Sequence, residues 1–252
     1  MTNWRKKRRL QRGYPLSTLV GLEEARAVIW RIFSRAVKLY STVERGGKDK
    51  RDRYIFHESI VDALRPVFRE GINSMVVTAP VNTPYTKEFL DHIQRHHLWL
   101  LRNNDSTIII GELTGSAGQL HEVSKLVKSQ EFRKILPEVM SEDADRIIDA
   151  LEKHLNEIDS GTTVLYSTEE IERLIDSLSR QTCLKPGYLI LTNQYLAETK
   201  EKRRIQRLLQ IAKNKKVKTK IVDRETKAGS RLSQLGGIVY FARNPVENTG
   251  ER

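Results

Sequence analysis

The sequence predicts an α/β protein made of two consecutive α/β domains preceded by a basic arm. Three observations lead there. Short apolar runs with strand character alternate with segments whose apolar residues recur every three or four positions. An acidic helical stretch over residues 141–159 divides that alternation into two series, and a chain of 252 residues is long enough for each to bury its own core. Cationic side chains crowd the front: residues 1–53 hold fifteen Lys and Arg against five Asp and Glu, ten of the twelve net positive charges.

Taken in order, Trp4-Arg5-Lys6-Lys7-Arg8-Arg9, with Arg12 beyond, carries too little apolar surface to fold alone and is expected to be a flexible arm over residues 1–20. A first domain is expected over 21–140. It opens with Ala27–Trp30 and Val37–Val43, rich in β-branched and aromatic residues, with a hairpin turn at Ser34-Arg35. Arg45-Gly46-Gly47-Lys48-Asp49-Lys50, with Arg51 following, reads as an exposed, charged loop. Phe56, Ile60, Leu64 and Val67 then line one helical face, and Gly71 ends that helix.

Met75–Pro80 reads as a buried strand, and Thr83 as an N-cap with Pro84 at the first helical position. The helix that follows is expected to bury Phe89, Leu90, Ile93 and Leu100. Thr107–Gly111 is another strand, and Gly115–Gly118 leads into a helix carrying Leu120, Val123 and Val127. Strands alternating with helices in this way point to a largely parallel sheet.

The boundary is expected between Glu138 and Ala144, with a second domain over 141–246 and a tail over 247–252. Ile147, Ile148, Leu151 and Leu155 share a face of the acidic helix. Strands are expected at Thr162–Tyr166, Tyr188–Leu191 and Val217–Val222, with helices from Ser167 and over Glu198–Ala212 between them. A short amphipathic segment with Leu232 and Leu235 then meets Gly236-Gly237, which turns the chain into a last strand, Ile238–Phe241.

The chemistry on offer is narrow. One cysteine, Cys183, excludes an internal disulfide and a cysteine-based metal site. No apolar run approaches the roughly 18 residues of a membrane span. The basic start is not followed by a signal-peptide core, since Tyr14–Val20 is too short and polar; the expected location is the cytoplasm. His92 and His96 share a helical face, but no neighbouring Glu completes a His-Glu-x-x-His arrangement, so His92, His96 and His97 are expected to face solvent or RNA, with no metal. Gly115-Ser116-Ala117-Gly118 lacks the Gly-Lys-Ser/Thr ending of a P-loop. No catalytic residue, cofactor or small-molecule substrate is expected.

Charge so concentrated suits a polyanionic partner, nucleic acid above all. A second basic stretch supports this: Lys200-Glu201-Lys202-Arg203-Arg204 with Arg207, then Lys213, Lys215, Lys216, Lys218 and Lys220. Arg203 and Arg207 fall on one helical face while Ile205, Leu208 and Leu209 supply core. Such a face is either solvated or set against phosphates, and contacts of the second kind carry little sequence preference. Trp4 offers a ring for stacking on an unpaired base.

Several collinear motifs resemble the Pelota and archaeal-eukaryotic class-1 release-factor family. Ala79-Pro80 and Tyr85-Thr86-Lys87-Glu88-Phe89-Leu90 are similar to its central-domain pattern of a strand ending in A/S-P followed by Y/F-T-K-x-F-L. Ser116-Ala117-Gly118-Gln119-Leu120-His121-Glu122-Val123 is similar to its S-x-G-x-x-x-L-x-E-V-L region. Gly229, Leu232 and Leu235-Gly236-Gly237-Ile238 match its closing G-x-x-L-x-x-L-G-G-I, and Asn193-Gln194-Tyr195 stands where members often have S-D. The resemblance covers roughly residues 23–243. It implies the family's central domain followed by its ribosomal-protein-like C-terminal domain.

The resemblance also implies a function: a ribosome-binding factor contacting ribosomal RNA of both subunits, with a translational GTPase or the ATP-binding-cassette recycling ATPase as further partners. Two departures shape that expectation. Only about 20 residues precede the central-domain match, so codon reading by the family's N-terminal domain is not carried over. Release factors place Gly-Gly-Gln where this chain has Gly46-Gly47-Lys48. A rescue role or a Balon-like hibernation role, at the A site and peptidyl-transferase region and without peptide release, is therefore expected ahead of termination. The alternatives are peptidyl-tRNA hydrolysis through the Arg45–Lys48 loop and RNA binding outside translation. The expected RNA-facing residues are Trp4, Arg5, Lys6, Lys7, Arg8, Arg9, Arg12, Arg45, Gly46, Gly47, Lys48, Lys50, Arg51, Arg203, Arg204 and Arg207.

Overall fold

The computed structural model describes residues 13–47, 49–102, 107–156, 162–178 and 187–243. Two mixed sheets, each flanked by helices, make up the α/β architecture expected from the sequence. The first is built from β1 (Pro15–Leu22), β2 (Arg26–Phe33), β3 (Val37–Glu44), β4 (Ser74–Ala79) and β5 (Ile109–Thr114), in the order β3-β2-β1-β4-β5. The second uses β6 (Thr162–Leu165), β7 (Tyr188–Thr192), β8 (Lys218–Val222) and β9 (Ile238–Arg243), in the order β6-β9-β7-β8.

Neither sheet is largely parallel. β1, β2 and β3 form an antiparallel meander, including the hairpin expected at Ser34-Arg35, and parallel pairing begins only at β1-β4 and β4-β5. Connections of a few residues return the chain antiparallel; parallel neighbours need a crossover helix. In the second sheet only β7 and β8 are parallel. Gly236 and Gly237, at φ +94° and +81°, turn the chain so that β9 runs back beside β7.

β1 shortens the arm expected over residues 1–20. From Ser17 onward this strand is buried, and it lies at the centre of its sheet. Ser17 and Thr18 interrupt its apolar run, which hides it in the sequence. In the fold, Ser17 Oγ donates to the Ser74 carbonyl at 2.8 Å and Ser74 Oγ to the Leu16 carbonyl at 2.9 Å, so these hydroxyls are accommodated in the interior.

The alternation of side chains along a strand sorts the first core into two layers. Val20, Ile29 and Val77 face Phe56, Ile60 and Leu64 of α1 (Lys50–Arg69) and Phe89 and Ile93 of α2 (Tyr85–His96). Leu19, Val28 and Val76 face the other way, towards Val123 of α4 (Leu120–Leu126) and Phe132 of α5 (Gln130–Asn156). Leu100 sits on a separate short helix, α3 (Leu98–Arg102), because α2 breaks at His97, φ −131° and ψ 38°. Thr83 does not cap α2: its hydroxyl donates to the Pro80 carbonyl at 2.7 Å, and Pro84 occupies the cap position.

α5 is one continuous helix that begins at Gln130, well ahead of the expected Ser141, and runs through the expected boundary between Glu138 and Ala144. Its first half packs on the first sheet through Phe132 and Ile135. Its second half packs on the second sheet: Ala144, Ile147, Ile148 and Leu151 meet Ile190, Val239 and Phe241, alongside Leu232 of α9 (Lys227–Gln234). A helix serving two cores has no linker composition to mark the change. Gly111 of β5 permits the close approach, since a β-carbon there would stand 2.5 Å from Ile135 Cγ2 and 2.8 Å from Val139 Cγ2. On the opposite face of the second sheet, α6 (Thr168–Ser177) and α8 (Lys202–Asn214) cover Leu189, Leu191 and Tyr240. The remaining helix, α7 (Asn193–Glu198), follows β7 directly.

Candidate nucleic-acid interface

β3 leads into the loop and first turn of α1 that carry half of the described cationic candidates, Arg45, Lys50 and Arg51. The Arg45 backbone N–H donates to the Ala25 carbonyl at 2.8 Å, rooting the loop on the sheet, and Arg45 Nη2 donates to the Asp49 carbonyl at 3.0 Å. Asp49 caps α1 by accepting from the Asp52 N–H at 2.7 Å. That backbone bond, together with the Arg51 N–H and the Arg45 charge, holds the Asp49 carboxyl below its ordinary range.

The two glycines differ. Gly46 is exposed, and a β-carbon there would meet nothing within 4 Å; at Gly47 it would stand 2.0 Å from Asp52 Oδ2. A side chain is free at the first, whereas at the second it requires the Asp52 carboxylate to move. Lys50 and Arg51 are exposed in the first turn of α1, where the helix dipole is itself positive. Their charges offset the Asp49 and Asp52 carboxylates at that end and remain exposed to meet a phosphate. Lys48 lies outside the described residues, as do Trp4, Arg5, Lys6, Lys7, Arg8, Arg9 and Arg12.

The second basic stretch separates into structural and exposed cations. Arg204 is committed to carboxylates: its Nε and Nη2 donate to Glu172, and its Nη1 donates to Glu169 and Glu201. The hydrogen bond to Glu172, followed by that to Glu201, raises the guanidinium further above its already high value. Arg203 and Arg207 are exposed beside it and line a shallow depression of about 450 Å³ with Glu172, Asp176, Leu208 and Ile211.

The lysines that follow are mostly held by the fold. Lys213 Nζ lies 3.0 Å from Glu70 Oε2, Lys215 Nζ donates to the Ile175 and Asp176 carbonyls ending α6, and Lys218 Nζ donates to the Tyr188 hydroxyl at 3.0 Å. Lys220 is buried against Asp143 of α5. The count of cations is local to the sequence, but these partners are not: they come from elements 30 residues away, as for Lys218 and Tyr188, to 143 residues away, as for Lys213 and Glu70.

The histidines depart most from expectation. His92 and His97 are 6% and 4% exposed, and only His96 faces solvent. Glu58, one helix away on α1, reaches both: its Oε1 lies 2.9 Å from His97 Nε2 in a hydrogen bond and 3.2 Å from His92 Nε2. The second pair is close but not aligned as a hydrogen bond, which leaves His92 Nε2 buried without one. Desolvation would raise the Glu58 carboxyl; the charge of His97 and the hydrogen bonds from His97 and Tyr54 outweigh it and lower the group. His57, buried against Phe89 and His92, is pushed down to about 4, first by desolvation and then by the charges of His92, Arg53 and Arg45. Glu58 lies on α1, 34 residues before His92, so no His–Glu spacing within one helix signals it.

No helix among the described residues is long and apolar enough to cross a membrane. No family model matches the chain. A curated relative, the Pelota homologue of Pyrococcus furiosus, is 24% identical over 203 residues, 79% of this chain and 51% of that protein. Among solved structures, ribosome-bound archaeal Pelota with ABCE1 matches at TM-score 0.51 and 13% identity, covering 91% of this chain and 62% of its own. The Saccharomyces cerevisiae Dom34 structure, described as a translation termination-like factor that interacts with Hbs1, covers 93% of this chain and 65% of its own at 18% identity and TM-score 0.47. The chain thus spans about half the length of the curated relative it matches. In sequence and in fold, its resemblance is to the Pelota family.

Proposed function

We propose that this protein is a ribosome-binding translation factor of Pelota type, acting in hibernation or rescue at the A site and peptidyl-transferase region without releasing peptide. The observation that carries the reading is the end of the first sheet, where Arg45 on one side and the exposed Lys50 and Arg51 on the other flank the exposed Gly46 and half-buried Gly47 at the start of α1. Backbone that carries no side chain at Gly46 enters a narrow RNA cavity, and the cations about it meet phosphates. Arg203 and Arg207 form a second contact on the other half of the molecule. A translational GTPase and the ATP-binding-cassette recycling ATPase are the protein partners this reading assigns.

Lys48 stands where release factors carry the glutamine of Gly-Gly-Gln, and on that departure the reading assigns no peptide release. The test is sedimentation of the protein through ribosomal fractions from growing and starved cells. Co-migration with ribosomes supports the reading, with enrichment on starvation indicating hibernation and enrichment on stalled complexes indicating rescue. A protein confined to the top of both gradients contradicts it.

A further inference from the structure

We propose that Glu58, His92 and His97 form a zinc site. The three donor atoms lie within 4.8 Å of one another. Both imidazole Nε2 atoms converge on the same carboxylate oxygen, at 2.9 and 3.2 Å. Ligand atoms around tetrahedral zinc, bound at about 2.0–2.1 Å, stand about 3.3 Å apart. The cluster therefore needs little movement to admit the ion between the oxygen and the two nitrogens.

Two further features favour a cation over a simple hydrogen-bonded cluster. His92 Nε2 is buried and has no aligned partner, a cost that a metal bond would remove. One oxygen of Glu58 also faces two imidazoles, and at most one of them is served by a hydrogen bond. Two nitrogens and one carboxylate are a ligand set zinc accepts, with water completing the fourth position.

The site opens to solvent on one side. Glu58 keeps 28% of its side chain exposed, and the Tyr54 hydroxyl, on an exposed ring, bonds its carboxylate. Such an outer-shell bond orients a ligating carboxylate. The ion would join α1 to the α2–α3 junction, eight residues along α1 from Lys50, and so would fix the helix from which the Arg45–Asp49 loop departs.

The test uses the full chain, stripped by chelator and titrated with zinc by calorimetry, with cobalt as the spectroscopic substitute. One zinc per chain is expected, with the intense visible bands of tetrahedral cobalt. Glu58→Gln and His97→Gln should each weaken binding by more than about a hundredfold, Tyr54→Phe by about tenfold, and the exposed His96→Ala should bind as wild type. Nitrogen-15 spectra of the unsubstituted protein provide a reading that does not depend on variants folding: zinc should shift the His92 and His97 imidazole nitrogens and leave that of His121 in place. Absence of binding, a six-coordinate cobalt spectrum, undiminished affinity in folded Glu58→Gln, or unmoved His92 and His97 resonances would each overturn the proposal.

Discussion

Glu70, capping the C-terminal end of α1, lies 3.0 Å through its Oε2 from Lys213 Nζ on α8, so a carboxylate of the first half meets a cation of the second. Both Glu70 oxygens also accept from Arg31 of β2, at 3.0 Å each. Desolvation would raise this carboxyl, but the hydrogen bonds and charges of Arg31 and Lys213 outweigh it and hold it low. A depressed folded-state pKa gives stability that is present above the unfolded value, roughly 4.3, and lost as pH falls through the folded value. Glu70→Gln should therefore cost about 1–2 kcal/mol at neutral pH, a difference that closes on acidification. Lys213→Gln, half exposed, should cost no more than about 1 kcal/mol. Urea denaturation at several pH values measures both, and a Glu70→Gln deficit independent of pH would contradict the assignment.

Lys220 and Asp143 test the second half. Both are almost wholly buried, and they pair across β8 and α5. Asp143→Ala should cost about 3–5 kcal/mol because it strands a buried ammonium. Adding Lys220→Met should recover most of that loss, since the apolar stem remains and the charge is gone. Calorimetric melting of the single and double variants decides it; a double variant no better than the single would show that the pair's packing, not its charge, matters.

The glycine pair in the loop gives a contrast within two residues. Gly47→Ala forces a β-carbon onto the Asp52 carboxylate, whereas Gly46→Ala points into open space. The first should displace the Asp52 side chain and lower the melting temperature slightly, while the second should leave it unchanged. Equal effects would refute the loop geometry.

Arg204 and its neighbours separate folding from binding. Arg204→Gln should lower thermal stability, because it releases Glu169, Glu172 and Glu201 from a common partner, and should change ribosome affinity little. Arg203→Gln with Arg207→Gln should do the reverse, each cation lost reducing the salt slope of binding by about one. Melting curves and salt-dependent affinities together distinguish the two classes.

Much of this fold was legible in the sequence because its signals were local. Phe56, Ile60, Leu64 and Val67 declared the sheet-facing side of α1, and Gly236-Gly237 marked the turn into β9. What escaped depended on partners far along the chain. β1 is hidden in the sequence because the Ser17 hydroxyl looks like surface until the Ser74 carbonyl, 57 residues away, accepts its hydrogen bond. The start of α5 is not legible because its apolar face changes cores at mid-helix. The loop candidates Arg45, Gly46, Gly47, Lys50 and Arg51 were readable as a charged run, whereas the commitment of Arg204 to Glu172, and of Glu58 to two histidines, appears only when separate helices are brought together.

The most direct test is the affinity of the purified protein for ribosomes as a function of salt, compared with an Arg45→Gln, Lys50→Gln, Arg51→Gln variant. The account predicts a steep logarithmic decline for the unsubstituted protein and, for the variant, weaker binding with a slope reduced by about 2–3 units, roughly 0.7–0.9 per phosphate contact. An unchanged affinity and slope in a variant that melts normally would contradict it.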